Sequence, residues 1–318
     1  LTCVIFLGTP EFAVPSLEEL VNGGFDVATV VTQPDRPTGR GGAVTPPAVK
    51  IKAMQLGLPV LQPESLRDPV AIDALRALAP DLIAVAAYGQ ILRRAVLDLP
   101  RFGCLNVHPS LLPKLRGASP IQTAIRQGHA ETGVTIMLMN ARMDAGPILA
   151  QVSAPIEPRD TAASLGDRLA RVGATLLVDT IPRWEAGQIS PKDQDEAQAT
   201  YCKPLVKEDA NIDWSRSADE IDRQCRANTP WPGCQTFWDG RQIRLVALRP
   251  LTSWSGPDAP GTVVLFDRTP SNTPRLGVAT GHGAVEITQL QLAGKRAMSA
   301  AEFLRGQPTI VGARLESA

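Results

Sequence analysis

The chain has 318 residues, 44% of them apolar and only 4% aromatic, with basic and acidic side chains balanced at 32 each. That length and apolar share allow a sizeable core in one or two domains, packed mainly through Ala, Val, Leu and Ile. Formal neutrality excludes a general polyanion binder, so any nucleic-acid contact has to come from a local patch.

The five cysteines, Cys3, Cys104, Cys202, Cys225 and Cys234, are odd in number and scattered, without a C-x-x-C pair. They point to reduced thiols in a cytoplasmic protein, not to a disulfide framework or a zinc site. The opening LTCVIFLGTP lacks a basic start and has too short an apolar run for a signal peptide. No segment approaches the roughly 18 apolar residues that span a membrane. Leu1 stands where Met is usual, which leaves room for a missing initiator or short leader.

In chain order, CVIFLG reads as a buried strand, PEFAVPSLEELVNGG as a helix ended by Gly23-Gly24, and DVATVVTQ as a second strand. PPAVKIKAMQLG and VAIDALRALAP read as helices. DLIAVAAYG and GCLNVHPS are strands, SPIQTAIRQG a helix, and TGVTIMLM and PILAQVSAPI strands. TAASLGDRLARVGATLLVDTIPRWEAG is a long helix. Strands bounded by Gly or Pro and alternating with helices predict an α/β fold with a doubly wound, mostly parallel sheet over residues 1–187. Ligands in such sheets bind at the carboxyl ends of the strands. Residues 188–204 are polar and aperiodic, as a linker is. Residues 205–318 read as a helix, ADEIDRQCRA, and then short strands, which predicts a smaller OB-like antiparallel barrel.

Residues two apart on a strand share a face. Asn106 and His108 of GCLNVHPS are therefore expected side by side in one cleft, with Val107 turned into the core. An amide donor next to an imidazole suits a carbonyl oxygen that gains negative charge. On spacing alone, an Asn capping the next turn beside a structural His explains the pair as well. Asp144, in the Gly-containing turn of NARMDAGPIL, is the candidate partner for the imidazole; taken singly it is an ordinary turn aspartate. DRPTGRGG places Arg36 and Arg40 in a Gly/Pro-rich loop with one acid, Asp35, and with Lys50 and Lys52 beyond it. Such a loop is suited to phosphates, although a solvated surface loop has the same composition. Gly8-Thr9-Pro10 lacks G-x-G-x-x-G spacing, which excludes a dinucleotide fingerprint. Cys104 has no base at nucleophile spacing and reads as packing.

NVHPSLLP, the RG that follows and the later MDAG resemble the folate-dependent formyltransferases. FLGTPEFAVPSL, TQPDRPTGRGG, PWPG and LQLAGKRAMSA extend the resemblance over nearly the whole chain, towards the branch acting on methionyl-tRNA. The resemblance implies transfer of a formyl group from 10-formyltetrahydrofolate, a co-substrate, to the amino group of methionine on initiator tRNA, without a metal. By position it implies Asn106, His108 and Asp144 as the catalytic set. It implies Ser110, Leu111, Leu112 and Pro113 as the folate-contacting segment, Arg36 and Arg40 as tRNA contacts, and a C-terminal barrel that binds tRNA. A monomer is expected. Three alternatives stay open on residues alone: a formyltransferase acting on an amino sugar nucleotide or glycinamide ribonucleotide, a formylfolate hydrolase, and a non-catalytic RNA-binding protein.

Overall fold

The computed structural model describes residues 1–38, 42–266 and 274–316. They form two compact units. The first comprises Leu1–Ile121, Ala130–Ile156 and Ser164–Lys203, and the second Gln122–His129, Glu157–Ala163 and Pro204–Ala318. Among the described residues no helix is long and apolar enough to cross a membrane.

The first unit runs β1 (Cys3–Gly8), α1 (Val14–Asn22), β2 (Asp26–Val31), β3 (Arg36–Thr38), β4 (Ala43–Thr45), α2 (Ala48–Gln55) and β5 (Val60–Leu61). It continues with α3 (Pro69–Ala77), β6 (Leu82–Ala86), α4 (Arg94–Leu97), β7 (Cys104–His108), β8 (Arg116–Gly117) and the start of α5 (Pro120–Arg126). It ends with β9 (Glu131–Leu138), β10 (Ile148–Pro155), most of α6 (Ala162–Glu185) and β11 (Tyr201–Cys202). The sheet order is β10-β9-β7-β6-β1-β2-β5. Five strands, β5, β2, β1, β6 and β7, are mutually parallel, and β9 lies antiparallel between β7 and β10.

Both faces of this sheet are covered, which is why its strands are apolar at nearly every position. On one face Ile5, Leu7, Ile83, Val85 and Cys104 pack with Ile72 and Leu75 of α3 and Val96 of α4. Val107 faces the other way, where a β-carbon on Gly173 of α6 would come within 2.7 Å of its Cγ1. α3 starts where its sequence dictates: Pro69 is pre-set for the first turn, and the Asp68 carboxylate accepts the Val70 N–H.

Short elements carry too few residues for a period, and the sequence reading passes over β3, β4, β5 and α4. β3 and β4 form a hairpin within the arginine-bearing loop. The stretch expected as linker lies on the first unit up to Lys203. Lys192 and Ile148 exchange backbone hydrogen bonds, and β11 pairs with β8.

The second unit contains α7 (Ala218–Ala227), β12 (Cys234–Trp238), β13 (Arg241–Leu251), β14 (Val263–Phe266), β15 (Arg275–Ala279), β16 (Ala284–Leu292), β17 (Met298–Ser299) and α8 (Ala300–Gly306). Ser217 and Glu220 form a reciprocal capping box at the start of α7. The antiparallel order is β12-β13-β16-β15-β14, with β17 on β16. Glu316 pairs with Phe237 of β12, and Arg314 pairs with Thr262 beside β14. The C-terminal run thus joins the two edge strands, closes the sheet and removes its free edges. Trp214, Trp238, Ile243, Leu245, Val278, Ile287 and Phe303 fill the interior.

Candidate active site

β7 ends in Asn106-Val107-His108, and the period of two puts Asn106 and His108 on the face opposite Val107. His108 is only 4% exposed. Asn106 is half-buried, and among the described residues its amide has no side-chain hydrogen bond. A donor left unspent at the mouth of a buried imidazole is available to a substrate oxygen.

The loop after β7 sets the imidazole. Ser110 Oγ donates to the Lys114 carbonyl, and Thr135 Oγ1 donates to the Ser110 carbonyl and accepts the Leu112 N–H. These bonds bring Leu115 back over the strand, and His108 Nε2 lies 3.1 Å from the Leu115 carbonyl oxygen. Only a protonated Nε2 satisfies that acceptor, so the neutral ring carries its hydrogen there and presents Nδ1 as a lone pair. Leu115 adopts a positive φ of 59°, an uncommon conformation for a branched residue. The Leu115 N–H is held in turn by Thr200 Oγ1.

Asp144 reaches His108 by a route that strand order alone does not supply. β9 is antiparallel to β7, and Leu138 at its end pairs with Leu105, three residues before His108. The turn bearing Asp144 therefore begins about 10 Å below the imidazole and folds back along the sheet face. It is not a case of neighbouring parallel strand ends converging. Asp144 Oδ1 stands 3.8 Å from His108 Nδ1, and Oδ2 accepts the Gly117 N–H at 2.8 Å. Gly117 has φ 113°, and a β-carbon there would lie 2.3 Å from the Cys202 carbonyl oxygen, so it is the pairing of β8 with β11 that requires glycine. Only glycine fits.

Burial pushes the His108 pKa below its ordinary value, opposed by the Asp144 carboxylate and by the Leu115 carbonyl. Desolvation is the larger of these opposing effects, and it favours the neutral ring. Cys104, on the same face, has its thiol pushed up to about 12 by burial and by Asp98, and it packs in the core.

Of the segment Ser110–Pro113, Ser110 and Leu112 are buried, with Leu112 bonded to Thr135 of β9 and Gln151 of β10, while Leu111 and Pro113 are half-buried. Arg36, on β3, is exposed and pairs with Glu64 at 3.2 Å. Lys50 holds Asp35, and Lys52 holds Glu18, each at 2.7 Å. Arg40 lies outside the described residues. Sequence reasoning passed over Leu115, Arg116 and Gln194. Arg116 is 1% exposed and places its guanidinium on Glu196, Gln194 and Tyr201. An arginine directly before a glycine that no other residue can replace was the one available signal.

The family profile described as Formyl transferase matches residues 2–181, and that described as Formyl transferase, C-terminal domain, matches residues 204–308. A methionyl-tRNA formyltransferase of Chloroflexus aurantiacus is 50% identical over 303 residues, 95% of this chain and 96% of the relative. An N-formyltransferase from Helicobacter canadensis, solved with folinic acid and dTDP-3-aminofucose, shares the fold at a TM-score of 0.65. It is 18% identical, with 90% of this chain and 99% of that one covered. HypX from Aquifex aeolicus in complex with tetrahydrofolic acid superposes at 0.62 with 18% identity, over 96% of this chain and 47% of that one. With both units matched and a relative half identical over nearly its whole length, the chain belongs to the formyl transferase family, with the methionyl-tRNA formyltransferases.

Proposed function

We propose that this chain transfers the formyl group of 10-formyltetrahydrofolate to the amino group of methionine esterified to initiator tRNA. The observation that supports the reading is the approach of Asp144 Oδ1 to 3.8 Å from His108 Nδ1, on the face of β7 that also carries Asn106, in a chain half identical to a methionyl-tRNA formyltransferase. The folate supplies a formyl carbon bonded to a nitrogen that can leave. The neutral amine attacks that carbon, and the charge growing on its oxygen meets the unspent Asn106 amide. The amine's proton passes to His108 Nδ1, directly or through Asp144. The imidazolium so formed is stabilised by Asp144 on one side and the Leu115 carbonyl on the other, and it returns the proton to the departing folate nitrogen. Ser110–Pro113 is the folate-contacting segment in this reading, offering the partly exposed Leu111 and Pro113.

The test is direct. The protein is mixed with 10-formyltetrahydrofolate and either methionyl-tRNA, uncharged tRNA, an amino sugar nucleotide, glycinamide ribonucleotide or water alone, and folate release is followed. Transfer to methionyl-tRNA only is expected. Release with water alone would make it a hydrolase, and no release in any arm would leave RNA binding as the function.

Arg36 and Arg40 are the tRNA contacts in this reading. Exposed pairs such as Arg36–Glu64 are weakly held and open to exchange for a phosphate. Arg40→Ala and Arg36→Ala are expected to raise the KM for methionyl-tRNA and to reduce its salt slope by about one each, with the folate KM unchanged. An unaltered salt slope would remove the residue from the contact set.

A further inference from the structure

We infer that Gln194, in the polar stretch between α6 and β11, is a positioning residue for the Asp144 carboxylate. Its side chain is 9% exposed and fully engaged. Nε2 donates to the carbonyl oxygens of Asp144 at 2.9 Å and Gly146 at 2.7 Å. Oε1 accepts from Arg116 Nε at 3.0 Å. One amide thus ties the turn that carries the carboxylate to the arginine beside the residues that orient the imidazole: Leu115 precedes Arg116, and Gly117, the donor to Asp144 Oδ2, follows it.

Three features make that tie necessary. The 139–147 turn folds back over the sheet, so no β-ladder holds Asp144. Asp144 has φ 48°, a left-handed conformation that persists only when its surroundings enforce it. Gly146 is closed in as well, since a β-carbon there would sit 1.8 Å from the Leu138 carbonyl oxygen. Arg116 is in turn immobilised: its two terminal nitrogens fork onto Glu196 at 3.0 and 3.2 Å, and Nη1 also donates to the Tyr201 hydroxyl. The Glu196 carboxyl is held below the usual range by Arg116 and, secondarily, by Arg142. The chain Glu196–Arg116–Gln194–Asp144 runs from a half-exposed carboxylate to the turn that carries Asp144. Gln194 therefore acts through Asp144, not on substrate.

This inference rests on the reading of Asp144 given above, and the experiment separates the two. Gln194→Met keeps length and apolar volume but removes both donors. It is expected to lower kcat about 10- to 100-fold, because displacing a catalytic group by ~1 Å costs up to about 100-fold. The folate KM stays as in the wild type. The acid limb of the pH profile moves to lower pH, since a carboxylate farther from His108 offsets less of the burial effect. Gln194→Glu restores a partner to Arg116 without the two donors, so its kcat is expected to stay low. Wild-type kcat in Gln194→Glu would assign the loss to Arg116 and overturn the inference. If Asp144→Asn moves the acid limb and Gln194→Met does not, the inference falls while the role of Asp144 stands. If neither variant moves it, both fall.

Discussion

Asn106→Ala lowers turnover about 100- to 1,000-fold, the usual loss on removing one donor from a site that stabilises a developing oxyanion. His108→Ala lowers it about 100- to 10,000-fold, the range for a positioned acid–base group. The two variants differ in what else they disturb, and that difference makes the result interpretable. The Asn106 amide has no side-chain bond among the described residues, so its removal leaves the melting temperature nearly unchanged. His108 is buried and donates to the Leu115 carbonyl, so its removal leaves that buried acceptor only the weak bond from the Cys202 thiol and costs about 1–3 kcal/mol of stability. Single-turnover transfer to methionyl-tRNA, folate binding and thermal unfolding separate these effects. Normal turnover in either variant would strike that residue from the catalytic set.

Asp144→Asn lowers turnover by about 100- to 10,000-fold, the range for loss of a positioned acid–base group. The substitution keeps an oxygen to accept the Gly117 N–H, so it tests the charge and not the loop. The pH dependence gives a second, signed readout. His108 has its pKa lowered from 6.5 by burial, and the attacking amine needs the neutral ring, so wild-type turnover rises with pH through a midpoint below 6.5. The Asp144 charge opposes that depression. Removing it lets desolvation act unopposed, and the acid midpoint of Asp144→Asn falls further. An upward or absent shift would sink the assignment of Asp144 as the counter-charge to the imidazole.

The local patterns of this chain are readable because they are short-range. β7 follows from an apolar run, and the sharing of a face by Asn106 and His108 follows from the period of two. The start of α3 is legible in Asp68-Pro69, and that of α7 in Ser217 and Glu220. Asp144 is legible only as a turn aspartate in NARMDAGPIL, and nothing local shows how it reaches His108. The strand beside β7 is antiparallel, and the loop must double back. Gln194 was invisible for a related cause. A glutamine in a polar, aperiodic stretch has no local signature, and its partners Arg116 and Asp144 are 78 and 50 residues away.

By itself the sequence determined the longer strands and helices, which face of β7 carries polar groups, and which residue types are present for acyl transfer. Those properties depend on backbone geometry and on neighbours a few residues apart. Only the tertiary structure decided which imidazole nitrogen faces the carboxylate, that burial favours the neutral ring, and that Gln194 and Arg116 hold the turn in place. Those outcomes depend on desolvation and on hydrogen bonds between segments distant in the chain, and neither exists until the chain has folded.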